Sequence, residues 1–307
     1  MKKRLTVWLS AALLASSLAS CGESGATFDL GAHTQEVMDW RDWRMERLKL
    51  PTGYLNQIGL YWVEPGSYSF GSSASNDIIF GGGAPEIGVF VVDSDGVSMT
   101  VLPGVDVRSD GEPVQAMLIP ADTSGEEVMV THGSLAWTVV ERVGRYGIRL
   151  RDFEHPFVES FGPLPYFEIN PSLRVQATLR RYAEPKIANV GTVIEGLGYH
   201  PESPGIVEFE IDGKLYELEA YTSGEKLFYV FGDETNRDAT YGAGRFLYSA
   251  TPGEDGLTVL DFNKSYSPPC AFNDFSTCPV ASPRNRLSTR IEAGEKYDSS
   301  FHYSAEH

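Results

Sequence analysis

From Tyr54 onward, apolar and polar residues alternate in short runs broken by Gly, Pro, Asp and Asn, the pattern of half-buried strands. A first group of runs covers 78–80, 88–92, 97–102, 136–141 and 147–150. A second covers 174–182, 207–211, 215–220, 227–231, 245–248 and 256–262. In 174–182 the alternation sets Val175, Ala177 and Leu179 against Arg174, Gln176 and Arg180. Ser94-Asp95-Gly96 and Asp110-Gly111 mark turns, and Asp212-Gly213 between two alternating runs is the strongest hairpin signal. One stretch has a helical period instead: 34–50, where Val37, Trp40, Met45 and Leu48 recur with Arg41, Arg44 and Arg47 between them. Thr34 is the expected cap, and Pro51 and Gly53 stop the helix. The expected fold is therefore all-β, a mostly antiparallel sandwich or barrel with one N-terminal helix.

The first residues follow a different pattern. Lys2, Lys3 and Arg4 precede an apolar run at 5–19, which matches a secretory signal peptide. Leu18-Ala19-Ser20-Cys21-Gly22 resembles a bacterial lipobox, in which Cys21 becomes the lipidated first residue of the mature chain. The expected organisation is a signal peptide at 1–20, a lipidated tether at 21–33 and a domain at 34–298. Pro163 and Pro165 mark a seam that divides this domain into possible β subdomains, 53–165 and 166–298.

Composition adds exclusions. Hydrophobic residues make up 42% and aromatics 12%, enough for a buried core, and no run is long enough for a membrane-spanning helix. The net charge of −17 argues against a nucleic-acid partner. Removing three basic residues with the signal leaves 22 basic and 42 acidic residues, or −20. Anionic lipid would repel such a surface, so the expected membrane attachment is covalent, through Cys21. Gly22 in place of Asp points to outer-membrane sorting, on the periplasmic side of a bacterial envelope.

Cys270 and Cys278 are then an even pair outside the cytoplasm, which favours a disulfide over free thiols. No His lies between Cys270 and His302 to complete a zinc site. The chain has no Gly-x-Ser-x-Gly elbow, His-Glu-x-x-His motif or phosphate loop, and nothing in it calls for a metal or cofactor. In the polar loop 232–244, Arg237 occupies a position where a calcium loop needs a ligand, so the loop reads as a solvated connection. The six His are scattered and read as surface or loop residues.

Two stretches resemble known families. Phe70-Gly71-Ser72-Ser73-Ala74-Ser75-Asn76-Asp77-Ile78, followed by Asp110-Gly111-Glu112-Pro113-Val114, resembles a forkhead-associated sandwich. Ser72 replaces the basic residue beside the first Gly, so the resemblance implies a β topology and not phosphothreonine binding. The second resemblance is longer. It rests on Thr240-Tyr241-Gly242-Ala243-Gly244-Arg245-Phe246-Leu247-Tyr248, Leu260-Asp261-Phe262-Asn263, Tyr266-Ser267-Pro268-Pro269-Cys270-Ala271-Phe272 and Thr277-Cys278-Pro279. Asn285-Arg286-Leu287 and Ile291-Glu292-Ala293-Gly294-Glu295 close it, with Gly59-Leu60-Tyr61-Trp62 and Gly147-Ile148-Arg149-Leu150-Arg151-Asp152 upstream. These motifs resemble the bacterial domain-of-unknown-function family 1684 (DUF1684) over roughly 34–296; Ser267 departs from the usual Asn after the Tyr. The resemblance implies no reaction.

The C-terminal third holds the candidate chemistry. Asp261 and Asn263 share a strand face, Tyr266 follows, and Arg245 and Arg286 offer forks for a carboxylate. Arg245, Asp261, Asn263 and Arg286 are expected to converge, as an internal network or as a ligand site that includes Tyr266. The leading expectation is a lipid-anchored protein binding a small molecule or an envelope partner. The alternatives are a hydrolase-type enzyme using that cluster and a redox protein using Cys270 and Cys278; no residue is assigned a catalytic role.

Overall fold

The computed structural model describes residues 28–126 and 128–304; the signal segment and Cys21 lie outside them. The helix, α1 (Leu30–Lys49), begins earlier than the periodicity indicates. Asp29, not Thr34, is its cap and accepts from the Ala32 amide at 3.0 Å. Thr34 lies inside the helix, where its hydroxyl donates to the Leu30 carbonyl at 2.8 Å. The helix ends because Pro51 disfavours helical geometry at Leu50, which is extended (φ −61°, ψ 155°). Its buried residues are His33, Val37, Arg44 and Leu48. Two of the four are polar, so apolar burial alone does not seat this helix.

Eleven strands follow: β1 (Gln57–Val63), β2 (Gly66–Gly71), β3 (Ile78–Ile79), β4 (Gly88–Asp93), β5 (Gly96–Val101), β6 (Arg108–Ser109), β7 (Glu112–Pro113), β8 (Ala116–Ile119), β9 (Val130–His132), β10 (Leu135–Arg142) and β11 (Arg145–Asp152). They form a sheet in the order β1-β11-β10-β9-β6-β7 and another in the order β3-β2-β4-β5-β8. Pairing is antiparallel except between β2 and β3. The inner faces share one core, with Phe70, Phe90, Val97 and Met99 from one sheet and Trp137, Val139, Ile148 and Leu150 from the other. Phe70 stacks on Phe90 at 4.0 Å, and Trp137 meets both edge-on. Strand alternation turns Ile148 and Leu150 inward and therefore Arg149 and Arg151 outward.

The second unit contains β12 (Arg174–Ile187), β13 (Val190–Gly191), β14 (Gly198–Tyr199), β15 (Glu202–Ile211), β16 (Lys214–Ser223), β17 (Lys226–Phe231), β18 (Arg245–Ala250) and β19 (Leu257–Asp261). The order β18-β17-β16-β15-β12-β19 brings β18 back beside β19, so the sheet nearly closes as a barrel. As the alternation indicates, Val175, Ala177 and Leu179 point into the core, with Phe209, Leu218, Tyr229, Phe231, Leu247, Leu260 and Phe262. Asp212 (φ 52°) and Gly213 (φ 75°) form the two-residue turn between β15 and β16 that the hairpin signal marks. The loop 232–244 is not solvated as expected. Asp233, Thr235 and Thr240 are buried, and Thr235 and Thr240 bond to each other at 2.8 Å.

Trp137 is fully buried in the sandwich core. Trp137→Ala is expected to cost about 3–5 kcal/mol, read as a lower denaturant midpoint of the sandwich transition.

Candidate functional site

The four residues expected to converge separate into two networks and one exposed arm. Arg245 opens β18 with no exposed surface. It donates to Asp233 at 2.8 Å, to the Ile291 carbonyl at 2.8 Å and to the Ala293 carbonyl. Asp233 also accepts from the Thr235 and Ile291 amides. Burial lowers the Arg245 pKa, and Asp233 opposes that shift. Asp261 accepts instead from the Asn263 amide and side chain, and its other oxygen lies 2.9 Å from His33 Nε2. Asn263 closes a two-way bridge with the Asn170 backbone, at 2.7 and 2.9 Å. Arg286 is exposed, pairs through its backbone with Gly232 and forms no ion pair among the described residues.

Strand parity explains the separation. Arg245 shares the inward face of β18 with Leu247, whereas Asp261 sits between inward-facing Leu260 and Phe262 and so points outward. The two side chains stand on opposite sides of the barrel wall, and Arg245 and Asp261 cannot act together on one substrate. Asp261 and Asn263 are neighbours, but not on a shared strand face as expected: β19 ends at Asp261, and Asn263 reaches its carboxylate from the 3-10 turn Phe262–Lys264 that Asp261 caps. His33, expected at the surface, is buried and is the long-range partner of Asp261.

A second set of contacts seats α1 on this barrel. Arg44 is buried, lies 3.3 Å from Glu295, donates to the Ser267 carbonyl at 2.9 Å and covers the Tyr266 ring at 4.5 Å. Glu295 is fully buried and accepts from the Ser267 amide at 3.1 Å. Gly294 (φ 78°) makes this possible, since a Cβ there would lie 2.3 Å from Ser265 Oγ. Arg41 donates to the Phe167 carbonyl at 2.9 Å and stacks over Tyr166, while Lys264 pairs with Glu36. Burial raises the Glu295 pKa against the pull of Arg44, and burial likewise holds the Tyr266 hydroxyl well above the usual range.

The docked helix leaves a groove between itself and the outer face of β17, β18 and β19. Its central part, about 590 Å³, is lined by Glu36, Trp40, Trp43, Lys226, Tyr248, Asp261, Lys264 and Tyr266 among others. Tyr248 and Tyr266 are nearly parallel (13°) at 6.5 Å, and Trp40 lies 6.1 Å from Tyr266. Trp43 is 52% exposed and Tyr248 41%, so both rings are free to stack on a ligand. The groove continues past Arg47, Tyr54, Phe228 and Pro269. Among the expected ligand residues, Asp261 and Tyr266 line it; Arg245, Asn263 and Arg286 do not. Trp43, Tyr248, Lys226 and Lys264 were not legible as site residues. The available signal was Trp40 and Trp43 three apart, on one side of a helix.

Cys270 and Cys278 are buried at disulfide distance, with Cα atoms 6.1 Å apart. Each sulfur also accepts the other residue's amide, at 3.1 and 3.2 Å.

Two outcomes test the networks. Asp233→Ala strands a buried guanidinium and is expected to cost about 3–5 kcal/mol of stability, measured by chemical denaturation. The second concerns Glu295, whose folded state keeps a proton that the unfolded state releases above the ordinary value of 4.5. Its contribution to stability therefore falls as pH rises from 4.5 toward the raised folded value. The wild type should lose stability relative to Glu295→Gln over that window; a relative gain would contradict the assignment.

Comparison with known proteins gives a family without an activity. The family model described as a protein of unknown function (DUF1684) matches residues 159–296. The solution NMR structure of an uncharacterized protein from Haloarcula marismortui is similar at 28% identity, covering 46% of this chain and 79% of that one, with a TM-score of 0.39. No curated protein matches. Residues 159–296, the segment that builds the barrel and its buried networks, are what is similar to the DUF1684 family of proteins of unknown function.

Proposed function

We propose that this is a lipid-anchored cell-envelope protein that binds an amphipathic small molecule in the groove beneath α1. The groove carries the reading. Exposed Trp43 and Tyr248, with Trp40 and Tyr266 deeper, offer flat apolar faces. Lys226, Lys264, Glu36 and Asp261 offer charged donors and acceptors beside them. An apolar lining with a few convergent polar groups is the ordinary composition of a small-molecule site.

Anchoring rests on the lipobox-like Leu18-Ala19-Ser20-Cys21 and on the acidic charge, which leaves a covalent lipid as the means of attachment. The closely placed Cys270 and Cys278 suit a bonded pair in an oxidising compartment. Six residues lie between Cys21 and Phe28, so the seven steps of chain reach at most about 25 Å. The Phe28 end of α1 is thereby held near the bilayer and outer-membrane sorting follows from Gly22.

Both parts are testable. Cys21→Ser should abolish fatty-acid labelling of the protein; equal labelling would refute anchoring. Native mass spectrometry of protein isolated from its own cells should detect a retained small molecule. The double variant Trp43→Ala, Tyr248→Ala should lose it while keeping the wild-type melting temperature. Equal retention by wild type and double variant would remove the groove from the account.

A further inference from the structure

The groove beneath α1 is not electrically uniform along its length. Its central part is lined by three acids, Glu36, Glu225 and Asp261, and by three bases, Arg174, Lys226 and Lys264. Much of that charge is matched locally. Lys264 pairs with Glu36 and lies 3.8 Å from Asp261, which in turn lies 2.9 Å from His33. Toward the C-terminal end of α1 the balance changes. The adjoining part, about 390 Å³, is lined by Arg44, Arg47 and Lys226 and by no acidic residue. The chain carries 42 Asp plus Glu against 25 Lys plus Arg, so a wall with bases alone runs against its composition.

The three bases are not equivalent. Arg44 is buried and committed to Glu295 and to the Ser267 carbonyl. Arg47 and Lys226 are exposed and come from opposite walls, α1 and β17. Arg47 lies over the Trp43 ring at 6.0 Å, which sets its charge beside an apolar face. Thr52 and Tyr54 add hydroxyls at the same end. The negative end of the α1 dipole is blunted nearby: the Leu50 carbonyl accepts from the Gly53 amide at 2.7 Å and the Pro51 carbonyl from the Asn56 side chain at 2.8 Å. Trp43, Lys226, Tyr248 and Tyr266 line both parts, so the cationic end and the aromatic centre are one continuous surface.

We propose that the groove takes a small amphipathic anion, with its acidic group between Arg47 and Lys226 and its apolar body along Trp43 and Tyr248. This inference rests on the reading of the groove as a ligand site and adds the sign of the ligand and its direction in the groove. Charge complementarity carries it. An acidic group at the cationic end gains two attractions in partly desolvated surroundings. A cation would be repelled there, and a neutral molecule would gain nothing from either base. The acidic remainder of the chain repels anions, which confines a bound one to this end. The volumes of about 390 and 590 Å³ are those of small-molecule sites.

A matched pair of fluorescent probes tests this: 1-anilinonaphthalene-8-sulfonate and its neutral twin N-phenyl-1-naphthylamine, which lacks the sulfonate. The wild type should bind the sulfonate more tightly than the neutral probe. Added salt should weaken the sulfonate alone, a comparison that needs no variant. The double variant Arg47→Met, Lys226→Met should bind the sulfonate about fivefold or more weakly and the neutral probe as the wild type does, with an unchanged circular dichroism spectrum. Trp43→Ala, Tyr248→Ala should weaken both probes. Equal affinity of the wild type for the two probes, or a sulfonate affinity unmoved by salt or by loss of the two bases, would overturn the anion while Trp43→Ala, Tyr248→Ala still weakened both. Wild-type binding of both probes by Trp43→Ala, Tyr248→Ala would instead remove the groove itself, and this inference with it.

Discussion

The buried pair of Arg44 and Glu295 is the constraint on which the arrangement depends. A helix with an apolar stripe can slide or detach at moderate cost, but one with a buried guanidinium needs its carboxylate in one place. Glu295 has no exposed surface and Arg44 very little, so neither charge has a solvated alternative within the folded chain. The contact joins residues 251 positions apart and runs past the whole sandwich. His33 with Asp261 repeats the arrangement at the other end of α1. The helix that begins the described chain therefore belongs physically to the barrel that ends it, with the sandwich between them in sequence. The span matched by the family model leaves out α1, which forms one wall of the groove.

This dependence gives a physical meaning to the motifs in the last third of the sequence. Ile291 and Ala293 supply carbonyls to Arg245, Gly294 permits the close approach of Ser265, and Glu295 receives Arg44. Asn285 is buried and bolts the Glu219 backbone to the Val230 carbonyl. These residues hold irregular backbone against a barrel end, where strand ladders no longer satisfy the peptide groups. The face available to a ligand is built from other residues, Trp43 and Tyr248 above all.

The period-two pattern was sufficient for the β class, for the inward face of β12 and for the Asp212-Gly213 hairpin, because each is a local property of the chain. Asp261 and Asn263 lie together for a different reason: β19 ends at Asp261, whose side chain caps a 3-10 turn at Phe262–Lys264 and accepts from the Asn263 amide. The pattern could not say which side of the barrel wall Arg245 faces, since parity within one strand carries no information about the next. Charge attraction pointed Arg245 toward Asp261, while the fold supplied Asp233, twelve residues upstream, on the inner side. His33 looked like a tether residue because its partner lies 228 residues away. The loop at 232–244 looked solvated because its polar side chains are satisfied by one another and by Arg245 rather than by water.

Hydrogen exchange of α1 in Arg44→Met tests the central claim most directly. The thioether keeps the aliphatic bulk and removes the charge that fixes the helix to Glu295. The account predicts that amides of Val37 to Leu48 exchange much faster than in the wild type while those of β15 to β17 keep their protection. Wild-type protection across α1 in this variant would contradict it and would leave apolar contacts as the seat of the helix.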